Sequence, residues 1–574
     1  MLIEFLPAFI ADYLPAWMFL ALTILLMAGF PVTFTLLGTS LCFGLIGFGW
    51  GFFNLLPLRI FGVMQNVTLL AVPLFVFMGV MLERSGLAEE LIEAMSLLFG
   101  RIKGGMAVSV VVVGALLGAS TGIVGATVVT MGLLAVPTML KRGYQKELAT
   151  GTVAASGTLG QIIPPSIVLV LIGDIVGVSV GDLFMGAVLP GLVLVGLYIV
   201  YIIGITLIRP SIAPTIPKEE LDALAGENLF GKVVFALLFF LSVLIFGLGL
   251  LLFSFDSLPN IGKFFAVCTL LLALANNVFN IKKPVLAVCL TMLALLTFVS
   301  AKNAIMILPV EKLDFHAIVS ILTIISINLI LFFICNRGFK IPFIGKIIQS
   351  PLFAKVIWAL FPPLFLMVSV LGSIFAGIAS PTEAAAVGAV GATILTVVNK
   401  KFNFKILQEV MDTTMILTCM VFIILVGAAS FGLVFRGMGG DDIVREFLGA
   451  IAADHGKWFV LAVVMGLIFV IGFFLDFIEI TFIHVPVLAP IMLEFGFDPV
   501  WFCILIAVNL QTSFMTPPFG FSLFYLKAVT PPEIRTTHIY RGIIPFVIFQ
   551  LIGLLIVVFF PALVTWLPKV VFGS

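Results

Sequence analysis

Two stretches, "GTLGQIIPPSIVLV" at 157–170 and "NLQTSFMTPPFG" at 509–520, set a pair of prolines inside an apolar run. Proline has no backbone N–H and clashes with the carbonyl four residues back, so each pair is expected to break its helix. Pro164 and Pro165 cannot bond back to Gly160 and Gln161, nor Pro517 and Pro518 to Ser513 and Phe514, which predicts carbonyl oxygens freed where no lipid can satisfy them. Such oxygens suit a desolvated sodium ion, and the N-termini of the resuming half-helices suit an anionic substrate. Ser156 and Thr158 lie before the first break, and Asn509, Gln511, Thr512, Ser513 and Thr516 surround the second. Ser156, Thr158, Asn509 and Gln511 are the candidates for substrate, the others for the ion. The plainer alternative is a pair of kinked helices whose hydroxyls cap themselves.

A third stretch, "GFFLDFIEITFIHVP", places Asp476, Glu479 and His484 in apolar surroundings. A carboxylate at mid-bilayer depth costs about 2.5–3.5 kcal/mol on insertion scales, so each needs compensation. Asp476 either shapes an ion or substrate site or pairs with a basic residue on a neighbouring helix or subunit, and pairing is the favoured reading for Glu479. The two share a face if the segment is helical there. His484 reads as a packing residue, with proton coupling as its alternative. Glu383, in "SPTEAAA", is placed to cap the helix starting near Pro381. The six cysteines are scattered singly, without CxxC spacing or His partners, and read as small core residues rather than metal ligands or disulfides. No GxxxxGK[ST] loop is present, so ATP is not expected to be the energy source; no cofactor is expected beyond sodium as the coupling ion.

The elements that must position these groups follow from composition. Of 574 residues, 62% are hydrophobic and 10% charged, against roughly 25% charged in soluble domains. Apolar runs of about 20 residues recur throughout, so the chain is expected to be an all-α polytopic membrane protein. The opening "MLIEFLPAFIADYLPAW" lacks a basic region, which argues against a cleaved signal. A net charge of +1 gives no reason to expect nucleic acid.

The proline pairs belong to an internal repeat. The same offset of 353 relates Pro164 to Pro517, Gly86 to Gly439, Pro137 to Pro490 and Gly143 to Gly496. Upstream, "GFPVTFTLLG" and "IASPTEAAAVG" pair Pro31 with Pro381 at an offset of 350. Charge orients the copies. The turn "LKRGYQKE" is basic, whereas its counterpart "LEFGFDPV" has no base; beyond the breaks, Asp174 and Asp182 in the first copy face Lys527, Arg535 and Arg541 in the second. Basic loops stay cytoplasmic, so the copies cross in opposite directions, an inverted-topology repeat of the kind found in secondary transporters.

Between Lys103 and Lys141 lie 37 uncharged residues split by "GASTGIVG". Two limbs shorter than a full crossing predict a re-entrant hairpin from the cytoplasm, at about 105–140, answered by a second from outside at about 458–493. The expected organisation is a first repeat at 1–208 with its broken helix at about 148–174, a polar linker and four-span insertion at 209–350, and a second repeat at 351–574 with its broken helix at about 500–526. The count is about 14 full spans plus two hairpins. "GGDDIVREFLGAIAADHGK" reads as a helix lying at the interface.

The stretches "GTLGQIIPPSIVLV", "ASPTEAAAVGAV", "GFFLDFIEI" and "NLQTSFMTPPFGFSLF" resemble the large membrane subunit of tripartite ATP-independent periplasmic (TRAP) transporters over about 1–208 and 351–567. The resemblance implies a bacterial or archaeal cytoplasmic-membrane uptake system. In it a periplasmic binding protein delivers a small organic acid, and the large subunit, with a small four-helix membrane subunit, moves it inward with sodium by an elevator motion. It also implies sodium sites at Ser120 and Thr121 in "GASTG", around Gly160, Gln161 and Pro164, and across Thr512, Ser513, Thr516, Pro517 and Gly520. The tip here is poorer in serine than is usual in the family, and the insertion is absent from shorter members; it reads as peripheral, lipid-facing packing. The "PPSIVLVLIGD" and "NLQTSFMTPPFGFSLF" variants resemble a branch often labelled for mannitol, chloroaromatic or 2-oxo acids, and the cargo expected here is a carboxylate or 2-oxo acid. Two alternatives stand beside this reading, a stand-alone sodium/carboxylate symporter and a membrane-embedded lipid-modifying enzyme.

Overall fold

The computed structural model describes residues 13–100, 102–122, 124–215, 351–517 and 520–572. Nearly all of these belong to one compact unit built from Met1–Thr215 and Ala359–Ser574. The four apolar segments expected at 233–335 lie outside the described residues.

The first stretch runs α1 (Leu14–Met27), α2 (Val32–Phe48), α3 (Phe52–Met64), α4 (Ala71–Arg84), α5 (Leu87–Leu98), α6 (Gly105–Thr121), α7 (Val124–Lys141), α8 (Lys146–Thr158), α9 (Ile167–Val176) and α10 (Val180–Ile208). The second runs α11 (Pro351–Phe375), α12 (Pro381–Val398), α13 (Phe404–Gly437), α14 (Gly440–His455), α15 (Lys457–Ile471), α16 (Phe477–Ile483), α17 (Val485–Glu494), α18 (Pro499–Phe514), α19 (Phe521–Val529), α20 (Thr536–Phe559) and α21 (Ala562–Phe572). Six described helices are long and apolar enough to cross a membrane, or up to eight if each of two bent pairs is one span. The chain is a polytopic, all-helical membrane protein in its described part.

Helix boundaries recur at the sequence offset. α5 and α14 start at Leu87 and Gly440, α7 and α16 at Val124 and Phe477, and α8 and α18 at Lys146 and Pro499. Gly86 and Gly439, which precede α5 and α14, both take a left-handed backbone (φ +74° and +79°), as do Gly143 and Gly496 in the turns before α8 and α18 (both +79°). That region is open to glycine at little cost, which is why the residue type recurs where the chain turns. Packing exchanges partners in the same way: α4 packs on α12 and α13 on α2; α8 on α20 and α18 on α10.

The core sits where the broken helices run. Every residue of α8 from Leu148 to Thr158 and of α18 from Trp501 to Phe514 is buried, so these helices are enclosed on all sides. α6 and α7 form a helix–turn–helix against α8, and α15 lies against α18. Large apolar side chains such as Phe34 and Leu58 are exposed on the outer helices, as a lipid-facing surface requires.

Helix ends are fixed locally. Ser380 and Glu383 form a capping box at α12, with the Glu383 carboxylate accepting from the Ser380 N–H at 2.7 Å. α14 is tied to the end of α17 by Arg445, whose Nε and second terminal nitrogen donate to the two Glu494 oxygens at 3.0 Å each, and which also meets Asp442 at 3.0 Å. These groups are solvent-accessible, so Glu494→Gln is expected to change stability little and the Arg445–Glu494 coupling to be small. A double-mutant cycle with Arg445→Met measures the coupling, and a larger value would give this clamp a structural role.

Candidate functional site

At the first break α8 passes into a single 3-10 turn, Leu159–Gln161, and the chain then runs irregularly to Ser166 before α9. Hairpin helix α6 presses against it backbone to backbone. A Cβ placed on Gly160 would lie 2.8 Å from the Gly118 Cα and carbonyl oxygen, and one on Gly114 would meet Ser156 at 2.6 Å. Gly122, left-handed at φ +61°, ends α6 against Ile167 at the start of α9. Ser120 and Thr121 are the last residues of α6; their side chains lie outside the described residues.

At the second break α18 ends at Phe514 and α19 begins at Phe521. Asn509 donates its amide to the Met465 carbonyl of α15 at 2.8 Å, and Ser513 sits against Gly472, where a Cβ would collide with its hydroxyl. Thr516 donates its hydroxyl to the Thr512 carbonyl at 2.6 Å, and Gly520 N–H bonds the Thr516 carbonyl at 3.0 Å. Pro517 is half-buried, and Pro518 lies outside the described residues. Phe514 stacks on Phe521 (5.5 Å) and meets Phe477 of α16 edge-on (6.1 Å), so an aromatic cluster closes this break against α16.

The chain supplies its own donors to three of the four carbonyls that the prolines free. Ser166 donates its hydroxyl to Gln161, Ser522 to Phe514 at 3.1 Å, and Thr516 its N–H to Ser513 at 3.1 Å. Only the Gly160 carbonyl has no donor among the described residues. The expectation of four unpaired oxygens therefore reduces to one. A serine five or eight residues away reaches back across each gap, which proline spacing alone does not reveal.

Where the two broken helices meet, Gln511 donates its amide to the Thr158 hydroxyl at 3.3 Å, across 353 residues of sequence. Thr158 in turn donates to the Ala155 carbonyl at 2.8 Å. Gln161, fully buried, has neither amide atom hydrogen-bonded among the described residues, and the Gln511 side-chain oxygen is likewise unpaired. Close by, a pair that the sequence did not single out, Tyr198 and Gln550, joins α10 to α20 at 2.6 Å, with the Tyr198 hydroxyl also 4.0 Å from the Met515 sulfur.

Asp476 is not helical. It is the N-cap of α16, its carboxylate accepting from Phe477 N–H at 2.7 Å while Glu479 accepts from Asp476 N–H at 3.2 Å. The two therefore share a capping box rather than a helix face. The signature "DFIE", Asp followed three residues later by Glu, was present in the sequence. His484, buried at the kink between α16 and α17, lies edge-on to Phe19 of α1 at 5.2 Å, an aromatic packing contact. No group of three or more His, Cys, Asp or Glu that could hold a metal ion occurs among the described residues.

The family model described as "Tripartite ATP-independent periplasmic transporter, DctM component" matches residues 19–336 and 345–563. The C4-dicarboxylate TRAP transporter large permease protein DctM of Pseudomonas aeruginosa is 26% identical, with 90% of this chain and 89% of that one covered. The ectoine TRAP transporter large permease protein TeaC of Halomonas elongata is 24% identical over 96% and 97%. The isethionate TRAP transporter permease protein DctMQ of Oleidesulfovibrio alaskensis is 24% identical over 97% of this chain and 67% of its own length. Among solved structures, the YdaH transporter of Alcanivorax borkumensis is similar in fold, with a TM-score of 0.50, 14% identity and 98% of each chain covered.

Proposed function

The chain belongs to the family of the DctM component of tripartite ATP-independent periplasmic transporters, a membrane permease and not an enzyme, and from that premise we propose that it couples inward sodium flow to uptake of a small organic acid. Membership implies the cytoplasmic membrane of a bacterium or archaeon, a small membrane subunit and a periplasmic binding protein. The relative named DctMQ, only 67% of which this chain spans, is consistent with a second membrane component joined to the permease in that protein.

The observation that carries the proposal is the Gln511–Thr158 hydrogen bond. Position 158 and position 511 are counterparts under the 353-residue offset, so each touches its own equivalent. Residues do that only near a two-fold axis. Together with the recurring helix boundaries, the paired left-handed glycines and the exchanged helix contacts, it supports an inverted repeat with 1–208 and 351–574 as its halves. Both breaks then meet near mid-membrane, where transporter repeats hold substrate and ion. Sodium is assigned to the first hairpin tip with Ser120 and Thr121, to the backbone of Gly160, Gln161 and Pro164, and to Thr512, Ser513, Thr516, Pro517 and Gly520. Substrate is assigned to Ser156, Thr158, Asn509 and Gln511, with Asp476 shaping the tip of the second hairpin. The hairpins and broken helices would move as one body, in an elevator motion, against the helices around them.

Uptake of labelled carboxylates into proteoliposomes holding this chain and a small subunit, with and without a binding protein, tests the reading. Uptake that needs both a sodium gradient and the binding protein is the expected result. Sodium-driven uptake by this chain alone would make it a self-sufficient symporter, and uptake following ATP without an ion gradient would overturn secondary transport. At the second break, Thr516→Val is expected to raise the sodium half-saturation about tenfold while leaving most of the protein in the membrane, because a hydroxyl at a part-buried polar site is lost. A parallel fall in protein and uptake would leave Thr516 a purely structural role.

A further inference from the structure

Three buried amide atoms at the meeting of the broken helices have no partner: Gln161 Nε2, Gln161 Oε1 and Gln511 Oε1. The orientation of Gln511 is fixed by its neighbour. The single Thr158 proton is committed to the Ala155 carbonyl, so Thr158 can only accept, and the Gln511 NH2 must face it. The Gln511 oxygen is thereby left as an acceptor. Gln161 follows Thr158 by three residues through a 3-10 turn, in which side chains at i and i+3 eclipse, so it projects on the side of Thr158. That turn packs against α18, which carries Gln511.

Two acceptors and one donor group therefore lie buried and unpaired on elements that pack together at the breaks, and buried polar groups discriminate by what they leave unpaired. A carboxylate satisfies the Gln161 NH2 but offers nothing to either amide oxygen. A neighbouring O–H or N–H does. Resting on the organic-acid reading above, we infer that Gln161 and Gln511 select acids carrying a hydroxyl or amino group beside the carboxylate, against 2-oxo and unsubstituted acids of the same length. A 2-oxo acid is the most informative competitor, because it puts an acceptor where the hydroxy acid puts a donor and differs little in size.

The test is direct binding, by titration calorimetry in sodium, to the purified complex of this chain with its small subunit and no binding protein, whose own selectivity would otherwise contribute. The ligands are two matched sets: lactate, pyruvate and propionate; and 2-hydroxyglutarate, 2-oxoglutarate and glutarate. The hydroxy acid is expected to bind about tenfold more tightly than its oxo and unsubstituted counterparts in at least one set. Gln161→Met and Gln511→Met, which keep length and remove the amide, should each cut that preference to within about twofold by weakening the hydroxy acid alone. Equal binding within both sets would overturn the inference and leave the organic-acid reading standing. So would a preference that neither variant alters while the sodium half-saturation shifts, because the amide oxygens would then serve the ion. Binding of no acid in either set would sink the organic-acid assignment of this site and the inference with it.

Discussion

Replacing Gly160 by valine is expected to abolish most uptake while leaving a folded, membrane-inserted protein. A Cβ there would lie 2.8 Å from both the Cα and the carbonyl oxygen of Gly118, and one on Gly118 would lie 2.6 Å from the Gly160 nitrogen. These are backbone atoms of α6, so no side chain can turn aside; α6 must lift away from the break. Overpacking of this kind costs about 1–3 kcal/mol, which corresponds to roughly a 5–150-fold loss of the closed arrangement. Uptake normalised to reconstituted protein reads the effect, and a rate within twofold of the parent would remove the α6–break contact from the transport cycle.

The second large effect concerns folding rather than transport. α8 and α20 cross with their backbones in contact at Gly151 and Gly542, where a Cβ on Gly151 would collide with the Gly542 carbonyl and one on Gly542 with that of Glu147. Close approach through small residues is a principal source of helix association in lipid, where burial of apolar surface contributes little. Gly151→Leu should therefore cost about 3 kcal/mol or more and be seen as a lowered thermal midpoint and loss of monodisperse protein in detergent. Gly204→Leu is the control, because a Cβ there meets nothing within 4 Å. Equal behaviour of the two variants would count against the crossing as a point of stability.

Features that act locally were legible in the sequence. The proline pairs end α8 and α18 because a missing N–H does so wherever it sits, and glycines 86, 143, 439 and 496 mark left-handed turns that few other residues adopt. Glu383 was read as a cap and is one. Asp476 and Glu479 carried the same kind of signature, yet their burial in an apolar run drew attention to charge rather than to capping. What could not be read depends on distant segments meeting: Ser522 reaching Phe514, Phe477 closing on Phe514, Gly118 lying on Gly160, and Tyr198 bonding Gln550. No local pattern encodes those distances.

The hydrogen bond between Thr158 and Gln511 bears on the shape of what can be carried. In a dimer of identical chains, a residue on the two-fold axis faces a copy of itself, and whatever surrounds it is repeated by rotation on both sides. A single chain carrying both halves is released from that identity. Under the inverted repeat proposed above, one half carries a hydroxyl and the other an amide, and the bond between them points one way. The free amide oxygen it leaves lies on one side only, so in that reading a cargo with two unlike ends meets unlike groups, a distinction an exact two-fold site cannot make.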